Sequence, residues 1–182
     1  MEQKILTIDN FITDEEATFW RTYAEYAVSN PSMQVSLMKG GKQTKVDRLY
    51  YSVASPFWLF DKVRKVAEQN YHFGDITFRP DAYAQIMHYK APSEGLDWHK
   101  DQNLGCVSVS INLSPDGSYE GGEFQAQSSG TKVPGYCGMV MYDRDVRHRV
   151  APVTKGEKFS LVLWLPYKGQ EVSGKTIAWR YE

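Results

Sequence analysis

The sequence predicts an α+β fold in which N-terminal helices buttress a β-sandwich or barrel. Three observations predict it. Two segments before Ile76 place apolar residues at helical spacing. From Ile76 onward, short β-rich runs alternate with turn residues. Helices and strands are therefore segregated along the chain, the pattern of helices packed on one side of an antiparallel sheet.

The first helix follows Thr13, and Glu16 three residues on completes a capping box. Ala17, Trp20, Tyr23, Ala24, Ala27 and Val28 form its apolar stripe, and Asn30-Pro31 ends it. The second begins at Ser55-Pro56, a cap followed by proline at the first helical position. Leu59, Phe60, Val63, Val66 and Ala67 make its apolar face; Lys62, Arg64, Lys65 and Glu68 make its wet face. Between them, residues 38–45 hold Gly40-Gly41 and three lysines, which reads as a mobile loop, either a lid able to close over a substrate or a plain surface loop. Strands are expected over 83–89, 107–113, 122–126, 138–142, 148–150 and 159–165. Turn signals fall at 92–95, at 115–117 and at Lys155-Gly156.

At 182 residues the chain suits one domain, read here as 1–182, long enough to bury a core. Hydrophobic residues make up 42% and charged residues 24%, ordinary globular values. A formal net charge of -1 provides no field for nucleic acid or an anionic membrane. No apolar run approaches a membrane span, and the N-terminus lacks the apolar stretch of a signal peptide, so a cytoplasmic location is expected. Cys106 and Cys137 form no CxxC and are read as small, buried, unpaired residues. Nothing in the sequence sets an oligomeric state.

The chemistry concentrates around His99-Lys-Asp101. On an extended chain, residues i and i+2 point to one face, so the imidazole and carboxylate can converge on one metal. His148, at the start of a later strand, can supply a third ligand. Two His and one carboxylate on one face of an ion leave positions open, the facial triad of non-haem Fe(II) oxygenases. A zinc hydrolase would need a nearby acid/base such as the Glu of HExxH, and the chain has none. Taken alone, His-x-Asp also fits a solvated surface pair. His72 falls at a helix end and reads as an exposed C-terminal cation; His88 falls on the opposite strand face from Tyr89 and reads as structural. The turn at Lys155-Gly156 is expected to fold the chain back and return Lys158 towards His148 in a hairpin. Lys158 and Ser160 share a strand face, which suits a carboxylate held beside a metal; a solvated edge-strand lysine fits as well.

Several stretches together resemble a known family. They are Ile8-Asp9-Asn10-Phe11, Tyr89 ten residues before His99-Lys-Asp101, Val107-Ser-Val-Ser-Ile-Asn-Leu113 and Gly121-Gly122-Glu123-Phe124. Gly138-Met-Val-Met-Tyr142 then leads to His148, to Lys158 ten residues on, and to Ser160 and Trp164. The pattern resembles the Fe(II)/2-oxoglutarate oxygenases of the prolyl 4-hydroxylase-like superfamily over nearly the whole chain, most weakly over 31–55 and the tail. The resemblance implies a double-stranded β-helix (jelly-roll) core with metal ligands His99, Asp101 and His148. It implies that Lys158, where most members carry Arg, binds the far carboxylate of 2-oxoglutarate. Lysine offers a point charge and no bidentate fork, so Ser160 is expected to assist. Tyr89 matches a tyrosine that contacts the co-substrate. Asn112 stands where related enzymes often carry a Tyr aimed at 2-oxoglutarate, which leaves the second contact open. Ser108, Ser110 and Asn112 share one strand face, either lining the pocket or facing solvent.

The implied cofactors are Fe(II), 2-oxoglutarate and O2, with ascorbate as a candidate reductant. The implied reaction couples decarboxylation to succinate and CO2 with hydroxylation of a substrate C–H. Asp101 is present, which favours hydroxylation over the halogenation of relatives that lack this carboxylate. By family analogy alone the substrate is a prolyl residue in a peptide or protein. A free amino acid, another small molecule, or a catalytically silent β-helix binding module stays open. Near-neutral charge disfavours a nucleic-acid demethylase, and the missing His-x-His and Glu disfavour a cupin.

Overall fold

Thr13 caps the first helix as its sequence predicts. The Glu16 amide donates to Thr13 Oγ1 at 3.2 Å, and the Thr13 amide donates to Glu16 Oε2 at 2.8 Å. The structure, a computed structural model, describes residues 5–29, 34–36, 47–50, 57–71, 84–101 and 107–165. The loop expected over 38–45, the Ser55-Pro56 cap, the Asn30-Pro31 stop, His72 and Cys106 lie outside the described residues.

The elements in order are β1 (Ile5–Ile8), α1 (Asp14–Ser29), β2 (Gln34–Ser36), β3 (Asp47–Tyr50) and α2 (Phe57–Asn70). They continue with β4 (Ala84–Lys90), β5 (Leu96–His99), β6 (Val107–Asn112), β7 (Tyr119–Gly121) and β8 (Phe124–Ala126). The last are β9 (Gly130–Lys132), β10 (Met139–Asp143), β11 (His148–Val150) and β12 (Val153–Leu165). They pair as an eight-stranded sheet in the order β1-β10-β6-β12-β4-β3-β2, with β7 also on β12, and a four-stranded sheet β5-β11-β8-β9. All pairings are antiparallel. The architecture is the expected α+β, double-stranded β-helix.

Period-two alternation divides the large sheet into two faces. One face presents Ile86, Val109, Ile111, Met141, Leu161 and Leu163, which pack with Trp20 and Ala24 of α1 and Leu59, Phe60 and Val63 of α2 in one buried cluster. This is the main core, and the helices are its outer layer. The other face carries Ser108, Ser110, Asn112, Tyr142, Lys158, Ser160 and Trp164 at alternate positions of β6, β10 and β12. There Val140 and Tyr142 pack with Phe124 and Ala126 of the small sheet and with Val146. Polar residues on this inner face are buried between two sheets, so each needs a partner or a ligand. The solvent-facing reading of Ser108, Ser110 and Asn112 does not hold: Ser108 and Asn112 are buried and Ser110 lines a cavity.

The structure corrects three expectations. The chain does not fold back at Lys155-Gly156, because both residues lie inside the thirteen-residue β12. Gly156 has φ +70° and sits against the Ser118 carbonyl, which a Cβ would meet at 2.0 Å. The glycine kinks the strand where its partners change, from β7 over 153–156 to β4 and β6 beyond. No hairpin joins His148 to Lys158; β11 belongs to the small sheet and β12 to the large one. Strands β1, β2 and β3 were not expected either; they lie before and between the helices, so helices and strands are not segregated along the chain. Strands β7 and β9 were also not expected, since three residues beside Gly carry no readable period.

Candidate metal centre and adjoining pocket

β5 and β11 are neighbours in the small sheet, and their register sets His99 directly opposite His148. Asp101 follows β5 by two residues, so it leaves the same strand face as His99. The three side chains meet: one ligand atom from each lies within 4.8 Å of the others. His99 Nε2 is 3.6 Å from Asp101 Oδ1, and His148 Nε2 is 3.8 Å from Asp101 Oδ2. His99 Nδ1 lies 2.7 Å from the Asp97 carbonyl, and His148 Nδ1 lies 3.0 Å from the Val146 carbonyl. A carbonyl accepts only, so each Nδ1 carries a proton, and each Nε2 is the ring nitrogen that faces the shared space. Burial lowers the His148 pKa, opposed by the Asp101 charge, which keeps the imidazole neutral and able to ligate.

The large sheet fixes the carboxylate. Asp101 Oδ2 accepts from Ser108 Oγ at 2.6 Å, Trp164 Nε1 at 3.2 Å and Tyr142 OH at 3.3 Å. These donors come from β6, β12 and β10, so three strands orient one oxygen and leave Oδ1 on the His99 side. Burial raises the Tyr142 phenol well above its ordinary value, helped by the Asp101 charge, so it stays a donor. Its hydroxyl is also 3.1 Å from His148 Nε2. Two imidazole Nε2 atoms and one carboxylate, held on one side of a shared space, fit Fe(II) with coordination positions left open.

A cavity of about 380 Å3 adjoins the cluster, within the size range of small-molecule sites. Ser110, Asn112, Tyr119, Phe124, Lys158 and Ser160 are among its walls. Phe124 links the cavity to the metal cluster, since its ring also stacks on His148 at 5.3 Å. Lys158 is buried, and among the described residues its ammonium donates to the Gly122 carbonyl with no carboxylate in ion-pair reach. Burial pulls its pKa down from 10.5 to about 8, with the Glu123 charge opposing. A buried cation that faces a cavity, with a carbonyl for its hydrogen-bond partner and Glu123 among the cavity walls but outside ion-pair reach, fits an anionic ligand, and the carboxylate of 2-oxoglutarate has that chemistry. Gly122 makes room for it: φ is +71°, and a Cβ would stand 2.9 Å from Lys158 Cδ.

The other residues singled out by sequence fall around this cation. Ser160 is two residues along the same face and lines the cavity. Tyr89 lies opposite Lys158 in register, with its ring centre 6.0 Å from the ammonium. Asn112 lines the cavity with its amide engaged: Nδ2 donates to Tyr119 OH at 3.2 Å and to the Pro134 carbonyl at 3.3 Å, while Oδ1 accepts from the Ser114 amide at 3.1 Å. His88 is kept apart from the cluster, as read. It is buried, stacks on Phe159 at 4.5 Å and places Nε2 2.9 Å from Glu157 Oε2.

Sequence reasoning missed Tyr119, Tyr142 and Trp164. For Trp164 the signal was available: it lies six residues from Lys158 on the same strand, hence on the same face. Tyr142 likewise shares parity with Val140 on β10. Tyr119 could not be placed, because its strand was not foreseen.

Known proteins resemble this chain in sequence over part of its length and in fold over most of it. Residues 84–166 match the family model of the 2OG-Fe(II) oxygenase superfamily. A PKHD-type hydroxylase of Hyphomonas neptunium is 40% identical over 63 residues, 32% of this chain and 28% of the relative, so the match spans less than a third of that protein. Among solved structures, a Pseudomonas putida prolyl-4-hydroxylase superposes with a TM-score of 0.72 at 14% identity, covering 92% of this chain and 95% of that one. The viral collagen prolyl hydroxylase of Paramecium Bursaria Chlorella virus-1, in its 2OG complex, gives 0.63 at 18% identity over 88% and 94%. At these identities the structural likeness speaks to the fold.

Proposed function

We propose that this chain, whose residues 84–166 belong to the 2OG-Fe(II) oxygenase superfamily, is an Fe(II)/2-oxoglutarate-dependent dioxygenase that hydroxylates a prolyl residue in a peptide or protein. One observation carries the reading: a His-Asp-His cluster with both Nδ1 atoms anchored stands beside a cavity containing a buried, anion-seeking lysine. When bound, Fe(II) and 2-oxoglutarate supply with O2 the oxidative decarboxylation to succinate and CO2 that places one oxygen on a C–H bond.

The chain's own residues bind, orient and exclude water. His99, Asp101 and His148 hold the metal, and Ser108, Tyr142 and Trp164 fix the carboxylate that does so. Lys158, with Ser160 and Tyr89 beside it, binds the distal carboxylate of the co-substrate. Asn112 shapes the same end of the pocket. Phe124 and Val140 give the cavity dry walls next to the cluster. The prolyl substrate is supported by the names of the relatives, a PKHD-type hydroxylase and prolyl 4-hydroxylases. We read residues 1–182 as one such domain, acting in the cytoplasm, where Cys137 stays a free thiol and ascorbate can keep the iron reduced. No helix of the described residues is long and apolar enough to cross a membrane.

The test is incubation with Fe(II), 2-oxoglutarate and O2 against proline-containing peptides and, in parallel, free amino acids. Mass spectrometry should find one added oxygen on a prolyl residue, with matching succinate, and neither with Asp101→Ala. Oxygen added only to a free amino acid would move the substrate, and no succinate with any candidate would count against the enzyme.

A further inference from the structure

Position 112 lies on the pocket face of β6 but carries no hydroxyl or positive charge. Its register partner on β12 is Ser160, two residues from Lys158 on the same face. The Asn112 amide reaches across to β7, where Nδ2 donates to the Tyr119 hydroxyl at 3.2 Å. The Tyr119 ring centre lies 5.8 Å from the Lys158 ammonium, and both residues line the same cavity. Tyr119 Cε2 is also close to the Gly122 turn whose carbonyl Lys158 contacts.

We propose that Tyr119, aimed by Asn112, donates the second hydrogen bond to the distal carboxylate of 2-oxoglutarate, beside the charge of Lys158. The inference rests on the reading that this pocket takes 2-oxoglutarate. Asn112 offers its N–H, so the phenol oxygen spends a lone pair on accepting it, and the hydroxyl hydrogen is left to point elsewhere. Burial raises the Tyr119 phenol above its ordinary value, so that hydrogen is present throughout the neutral range. A lysine is a single point charge and cannot engage both carboxylate oxygens in the planar manner of arginine. A phenol on the neighbouring strand offers the second oxygen a directed donor. The phenol thus comes from β7, with the β6 residue reduced to steering it.

The experiment is titration calorimetry of the full chain loaded with Mn(II), using 2-oxoglutarate and, separately, 2-oxobutyrate, which keeps the 2-oxo acid and lacks the distal carboxylate. Tyr119→Phe should weaken 2-oxoglutarate about tenfold or more, as loss of a hydrogen bond to a charged group does. The same variant should leave 2-oxobutyrate within about twofold of the unsubstituted protein, and its melting temperature without ligand should be close to the original. Equal losses for both ligands would mean Tyr119 only shapes the pocket, and would overturn the proposal. Unchanged 2-oxoglutarate affinity in Tyr119→Phe alongside a large loss in Lys158→Ala would overturn it while leaving the co-substrate reading standing. Failure of the unsubstituted protein to bind 2-oxoglutarate would overturn both.

Discussion

Lys158→Met separates binding from stability, because the two should move in opposite directions. On the proposed reading, removing the ammonium takes away a charge-assisted contact to a carboxylate far from the reacting carbon, worth about 1.5–3 kcal/mol. That is about a ten- to hundredfold rise in KM for 2-oxoglutarate, with kcat nearer intact because ground and transition states lose it alike. The fold should gain. Burial that draws the pKa from 10.5 to about 8 disfavours the charged lysine at neutral pH by roughly 3 kcal/mol, an order-of-magnitude figure. Leaving the Gly122 carbonyl without its donor returns about 1–2 kcal/mol of that. The net gain is about 1–2 kcal/mol, or a Tm higher by about 3–6 °C in a domain of this size. The pH dependence has a definite sign. The folded pKa lies below the unfolded one, so the stability of the original protein is fully present above about 10.5 and lost as pH falls to about 8. Lys158→Met should show no rise from this group across that window. Calorimetric melting from pH 7 to 10.5, with 2-oxoglutarate titrated against succinate formation, reads both effects. A Tm that falls together with an unaltered KM would show that Lys158 is a structural cation and refute the reasoning.

Gly122→Ala should cost about 1–3 kcal/mol of stability and weaken 2-oxoglutarate, because φ is +71° and the new Cβ would press Lys158 Cδ at 2.9 Å and Val153 Cγ2 at 3.0 Å; urea titration and calorimetry check the pair. Tyr142→Phe removes one of three donors on Asp101 Oδ2 and should lower Mn(II) affinity about tenfold or more in a metal titration, with the fold retained. Affinity for 2-oxoglutarate should be flat below about pH 7 and fall above about pH 8, as the ammonium of the free protein loses its proton; affinity that rises with pH in the titration would contradict this.

The parts of this protein that sequence made legible are those with a local cause. The Thr13–Glu16 box, the apolar stripes of α1 and α2, and the shared face of His99 and Asp101 all depend on spacings of two to four residues. Those spacings follow from strand and helix geometry alone. What stayed hidden depends on which strands become neighbours. The Lys155-Gly156 pair looked like a turn because Gly is common there, yet it is a kink inside β12, and only the switch of partners from β7 to β4 and β6 explains it. Lys158 does reach the pocket, but across two facing sheets and not through a hairpin. The donors on Asp101 come from three strands at separations of 7, 41 and 63 residues, which no local pattern encodes. Tyr119 was invisible for the same reason: its partner Asn112 is close in sequence, but its strand is too short to announce itself.

The most direct test of the account is whether metal and 2-oxoglutarate bind as one linked site. Titration calorimetry of 2-oxoglutarate into the protein should give one site per chain with Mn(II) present and much weaker binding after chelation. Asp101→Ala should remove the dependence on metal, and Lys158→Ala should weaken binding with metal still bound. Binding of 2-oxoglutarate that is equally tight with and without metal, and indifferent to both substitutions, would contradict the placement of the site at His99, Asp101, His148 and Lys158.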